Sequence, residues 1–152
     1  MKSVFADTSG FYGAMDNADP FHEEAVRLFR TAVGERWRLA TTNYVVHESW
    51  ALIQRRLGVD ALQDFERGLV ALCELVFVDP ALHRAAVQRC LSAKRRNLSL
   101  TDCVSLEWMQ QQQITEAIAR DVHSMRQGFP CPVESALLLR DRWIRETAKV
   151  KD

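Results

Sequence analysis

Glycine is scarce, with six in 152 residues. Neither G-x-x-x-x-G-K-[ST] nor G-x-G-x-x-G occurs, so the backbone loops that cradle nucleotide phosphates have no support. No G-x-S-x-G turn presents a serine nucleophile. The four cysteines, Cys73, Cys90, Cys103 and Cys131, contain no C-x-x-C pair. That argues against a zinc site and for reduced thiols in a cytoplasmic protein. An excess of one charge is also missing: 20 basic residues balance 20 acidic ones. No overall field therefore draws in nucleic acid, and an anionic ligand needs a local patch or a metal. Long apolar runs are absent too. Val4-Phe5-Ala6 stops at Asp7, against a signal peptide, and Leu69 to Val78 is interrupted by Glu74. Both fall well short of the ~18 residues of a membrane span.

What remains is ordinary globular material, 47% apolar and 26% charged. The length suits one domain that buries roughly 70% of its unfolded surface. Ser3–Ala6 reads as a buried strand, followed by a short helix capped by Thr8 or Ser9. Asp19-Pro20 opens a second helix, whose apolar positions Phe21, Ala25, Leu28, Phe29 and Ala32 recur at helical spacing. Arg38–Thr42 is a second strand. Asn43 caps a helix to about Leu57, and Gly58 stops it. Val59 to Ala71 reads as a further helix and Leu75–Val78 as the clearest strand. Pro80 to about Arg96 is helical, as is the stretch from Ser99 into Gln110–Gln113. Ala117–Arg120 is a weaker strand, and a last helix covers about 134–149. Strands alternating with helices imply an α/β fold, with a mainly parallel sheet covered on both faces.

Four acids, Asp7, Glu48, Asp102 and Asp121, fall where a strand ends or the following helix begins. In a parallel sheet those positions share the carboxyl edge, where ligands bind. Each has a structural alternative. Asp7 and Asp121 suit turns, Asp102 completes a Ser99-x-x-Asp capping box, and Glu48 could be an exposed helical residue. Together, carboxylates on one edge repel and need protons or a cation; oxygen-only donors suit Mg²⁺ or Mn²⁺. His22, His47, His83 and His123 lack metal-ligand spacing, although His123 is near enough to Asp121 to matter. Arg120 precedes Asp121, and strand alternation would turn it to the opposite face. From Pro80 to Thr101 there are five basic residues and no acids. Of these, Lys94, Arg95 and Arg96 lead into the Asp102 segment. They make either a phosphate track or a solvated helix end.

Four segments resemble the motifs of PIN-domain nucleases, in order. They are Val4-Phe5-Ala6-Asp7-Thr8-Ser9-Gly10-Phe11, Thr41-Thr42-Asn43-Tyr44-Val45-Val46-His47-Glu48, Leu98-Ser99-Leu100-Thr101-Asp102-Cys103, and Arg120-Asp121-Val122-His123 before Gly128-Phe129. The resemblance spans about residues 1–130, and the whole of 1–152 is expected to form one PIN-like domain. It implies that Asp7, Glu48, Asp102 and Asp121 form an acidic metal site, with Thr8 or Ser9 and Thr101 as supporting hydroxyls. Size and single-domain form look most like bacterial VapC-type toxins. That likeness implies a Mg²⁺- or Mn²⁺-dependent endoribonuclease acting on RNA (tRNA or rRNA) and leaving 5′-phosphate and 3′-hydroxyl ends. It also implies a cytoplasmic homodimer held in check by a cognate antitoxin. An RNA-processing nuclease without antitoxin and an inactive PIN-fold interaction module are the alternatives. Two features depart from the pattern. Val122-His123-Ser124-Met125 lacks the usual aromatic after the aspartate, and the chain runs on past Gly128-Phe129 with Trp143 and Ile144 beside Arg142 and Arg145.

Overall fold

The computed structural model describes residues 1–120. The strands are β1 (Ser3–Ala6), β2 (Arg38–Thr42), β3 (Glu74–Val76) and β4 (Ala117–Ile118). They form one sheet in the order β3-β2-β1-β4, with every pairing parallel. The helices are α1 (Thr8–Met15), α2 (His22–Gly34), α3 (Asn43–Leu57), α4 (Val59–Asp64), α5 (Pro80–Ala93) and α6 (Leu100–Gln111). Successive strand residues face opposite sides, and Val4, Phe5 and Ala6 are all fully buried. Helices therefore cover both faces at the centre, as expected for a parallel sheet.

The core is aromatic around α1. Phe11 stacks on Phe29 of α2 at 5.6 Å between ring centroids and meets Phe65 edge-on at 5.2 Å. Phe5 of β1 lies 5.9 Å from Trp108 of α6. All five apolar positions expected for the second helix are buried. Gly10 is required by a close approach: a Cβ there would stand 2.2 Å from the Ile118 carbonyl oxygen. The missing side chain lets α1 lie against β4.

Local expectations failed where side chains took over backbone bonds. The second helix begins at His22 rather than Pro20, because Asp19 closes a turn by accepting from the Phe21 amide at 2.8 Å. Asp7 and Thr42 occupy the N-cap positions of α1 and α3, rather than Thr8, Ser9 or Asn43. Asn43 instead accepts from the Val78 amide at 2.8 Å. That draws the chain away from the sheet after Val76, two residues before the expected end. Val59 to Ala71 is not one helix: α4 widens into a π-helical turn at Phe65–Leu69 and tightens at Val70–Leu72. Lys94 ends α5 in the left-handed region at φ 51°, earlier than expected. The strand expected at Ala117–Arg120 pairs over two residues only. The expected helix at about 134–149 lies outside the described residues.

Candidate active site

Parallel pairing brings the carboxyl ends of β1, β2 and β4 to one edge. Asp7 leaves β1 there. It stands at the N-cap of α1 in an extended conformation, yet its side chain makes no capping hydrogen bond. The carboxylate is thus free of the turn role that its position suggests. Ser9 Oγ donates to Asp7 Oδ2 at 3.2 Å and accepts from the Arg120 amide at 2.8 Å. A single hydroxyl so ties the end of β4 to the first acid.

Glu48 is carried by α3, whose start is fixed by Thr42 accepting from the Val45 amide at 3.3 Å. Asp102 comes from the first turn of α6. Its Oδ2 accepts from the Ser99 amide, and Ser99 Oγ accepts from the Asp102 amide, both at 3.0 Å. The capping box is therefore real, but it occupies one carboxylate oxygen only. Asp102 still lines the cavity described next.

Asp7, Glu48 and Asp102 line a single cavity of about 280 Å³, with Thr8, Ser9, Tyr12, Asp19, Leu52, Arg56 and Arg120. Burial, then Asp102, then Glu48 push the Asp7 carboxyl up to about 7; the Thr8 amide and the Ser9 hydroxyl pull weakly the other way. Glu48 is also raised, first by partial burial and then by Asp102, while the Thr101 and Thr8 hydroxyls favour its charged form. Asp7 and Glu48, both raised and both facing Asp102, mark a site short of positive charge.

Among the described residues, no three His, Cys, Asp or Glu side chains are placed so that they could hold a metal ion together. The chemistry of the cavity nonetheless suits a hard divalent cation, because its donors are oxygens. One is left over: Thr8 Oγ1 is buried without a hydrogen-bond partner at bonding distance. A buried orphan hydroxyl beside carboxylates is what a ligand-binding site leaves when only protein atoms are counted. Asp121 lies outside the described residues, and so does His123.

Lys94, Arg95 and Arg96 do not line this cavity; they sit in the turn between α5 and α6. Two other arginines do line it, and sequence reasoning missed both. Strand alternation predicts the far face for Arg120, but β4 ends at Ile118, so alternation does not govern it. It reaches Asp19 at 3.7 Å. Arg56 lies eight residues beyond Glu48 on α3, with Leu52 midway, and helical spacing would have found it. The histidines have other occupations. His22 Nδ1 is 2.8 Å from the Gly13 carbonyl, His83 Nδ1 is 2.6 Å from Tyr44 Oη, and His47 lines a separate groove with Trp50 and Phe77.

Comparison with known proteins agrees with this geometry. The sequence matches the PIN domain family over residues 4–129, and the chain belongs to that family. Among solved structures it resembles VapC20 of Mycobacterium tuberculosis, described as a Sarcin-Ricin loop cleaving toxin, with a TM-score of 0.73 and 25% identity. The match covers 83% of this chain and 95% of VapC20. No curated protein sequence matches. No helix among the described residues is long and apolar enough to cross a membrane.

Proposed function

We propose that this PIN-domain chain is a divalent-metal-dependent endoribonuclease, the toxin of a type II toxin–antitoxin pair. One observation carries the reading: Asp7, Glu48 and Asp102, from three separate elements, line one cavity that also holds the unpartnered Thr8 hydroxyl. The likeness to VapC20 supports RNA as the substrate class. A structured ribosomal RNA loop is the first substrate to try, with tRNA the second.

Asp7 and Asp102 would hold a Mg²⁺ or Mn²⁺ ion directly, with Glu48 and Asp121 completing the set. Such an ion lowers the pKa of a bound water and offsets charge on a phosphate. The chain's own residues set the geometry around it. Ser9 fixes Asp7 Oδ2, and the Ser99 amide fixes Asp102 Oδ2, so each carboxylate presents its other oxygen in a restricted orientation. Glu48, whose charged form the Thr101 hydroxyl favours, would orient the water that attacks phosphorus as the P–O3′ bond breaks. Cleavage then leaves a 5′-phosphate and a 3′-hydroxyl. Lys94, Arg95 and Arg96 would meet RNA flanking the cut. The working form is a cytoplasmic homodimer, silenced by its antitoxin.

The test is cleavage of a ribosomal RNA and tRNA pool by antitoxin-free protein with Mn²⁺ or Mg²⁺, beside Asp102→Asn and a chelator. Asn can still accept the Ser99 amide, so the helix start survives the substitution. Discrete fragments that vanish in Asp102→Asn are expected. Metal-dependent cleavage that persists in the variant would overturn the assignment.

A further inference from the structure

We propose that Arg56 is the RNA-gripping residue of the acidic cavity: steadied on Tyr12, its guanidinium holds a backbone phosphate neighbouring the one that is cut. This rests on the nuclease reading above. The cavity poses an electrostatic problem that a metal at one end does not solve. Asp7, Asp19, Glu48 and Asp102 all line it, and a polyanion must still enter. Arg120 is already engaged by Asp19. Arg56 lines the same wall and is exposed; among the described residues no carboxylate stands within ion-pair distance of it, and Asp16 acts on it only from farther off, across Tyr12.

Its position is prepared. The guanidinium lies 5.3 Å from the centre of the Tyr12 ring. The ring is buried, and its hydroxyl donates to Asp16 Oδ2 at 2.6 Å. Contact with the face of a fixed ring restrains the guanidinium before ligand arrives, and its planar donor fork matches phosphate oxygens. Glu48, Leu52 and Arg56 follow one another at helical i, i+4, i+8 spacing. Eight residues of helix place Arg56 about 12 Å along the axis from Glu48. That separation suits a phosphate upstream or downstream of the scissile one, not the scissile one itself.

The ordinary alternative is that Arg56 merely complements the helix dipole, since it lies in the last turn of α3. Arg55 occupies that same turn and does not line the cavity, so it supplies the control. Binding is measured by fluorescence anisotropy of a labelled single-stranded RNA of mixed sequence, on full-length protein carrying Asp102→Asn to prevent cleavage. Adding Arg56→Gln should weaken binding about tenfold, equally across sequences, and lower the slope of log affinity against log salt by about 0.7. Adding Arg55→Gln should change neither. In the cleaving protein, Arg56→Gln should raise KM far more than it lowers kcat. Thermal melting of each variant separates a folding defect from lost contact. Equal losses for the two arginine variants, an unchanged salt slope, or no RNA binding at all would overturn the proposal. Cleavage by wild type with KM unmoved in Arg56→Gln would sink it while leaving the nuclease reading intact. Arg56-dependent binding with no metal-dependent cleavage would overturn the nuclease reading, and with it the scissile neighbour, and leave Arg56 as an RNA-binding residue only.

Discussion

Asp7 has to lose its proton before it can hold a cation, and its surroundings resist that loss. Its carboxyl titrates at about 7 in the folded chain against 3.8 as the ordinary value. The folded state therefore binds the extra proton more tightly than the unfolded state. Stability from this group is present in full below 3.8 and is lost as pH rises through about 7. With a chelator present, the melting temperature should fall from pH 5 to pH 8. The fall should flatten in Asp7→Asn, which has no proton to lose. Mn²⁺ should reverse the trend and stabilise the wild type more at pH 8 than at pH 5, because metal replaces the proton. Scanning calorimetry at the two pH values decides it; parallel curves for wild type and Asp7→Asn would show that Asp7 is not the strained group. Asp102 carries a different double duty, as cap and as cavity wall. Asp102→Asn should melt near wild type, while Asp102→Ala should lose about 1 kcal/mol by urea unfolding. Similar stabilities for Asn and Ala would mean the cap contributes little.

Between elements, the approach of α1 to β4 sets how Ser9 reaches both Asp7 and the end of β4. Gly10 sits at that approach, with the Ile118 backbone as its neighbour. Backbone cannot swing aside as a flexible side chain can, so Gly10→Ala must push α1 and β4 apart. A loss of about 1–3 kcal/mol is expected, along with lost cleavage, because the Ser9 bonds stretch. Gly68 is the matched control, having nothing within 4 Å of a built Cβ. Urea unfolding of the two alanine variants provides the comparison, and equal effects would remove the argument from packing. The same scale explains what could be read in advance. β1, β2 and the span of α3 were legible, because their apolar content and flanking signals agree with their tertiary setting. The existence of β3 was legible too, but its end and the course of the chain after α4 were not. Asn43 holds Val78 and so ends β3 early, and buried Phe65 packs on Phe11 in the widened turn. Asp7 and Glu48 were legible because β1 and β2 end at one edge, whereas Asp102 arrives on α6, which follows α5 and not a strand, and only its motif marked it. Arg56 was not legible, since a cation in the last turn of a helix ordinarily serves only the helix dipole.

Over the whole molecule, if the chain is the ribonuclease proposed above, zero net charge bears on which RNA it would cut. Counterion release lets a strongly basic protein hold any RNA and cleave wherever geometry permits. This chain has no such reservoir, because its long-range attraction is cancelled and its cations act locally. Selection therefore falls to the shape presented at the carboxyl edge, where carboxylates repel a phosphate that is not aligned with a metal and an arginine. Cleavage should yield a few discrete products even from a complex RNA pool. A large excess of random-sequence RNA should slow it only weakly at physiological salt. Sequencing the newly formed 5′ ends, with and without competitor, makes the comparison. Ends clustered in one loop and insensitive to competitor would place specificity in the site. A uniform ladder suppressed in proportion to competitor would mean that nonspecific backbone attraction governs binding, and that the balance of charge over the chain does not restrain it.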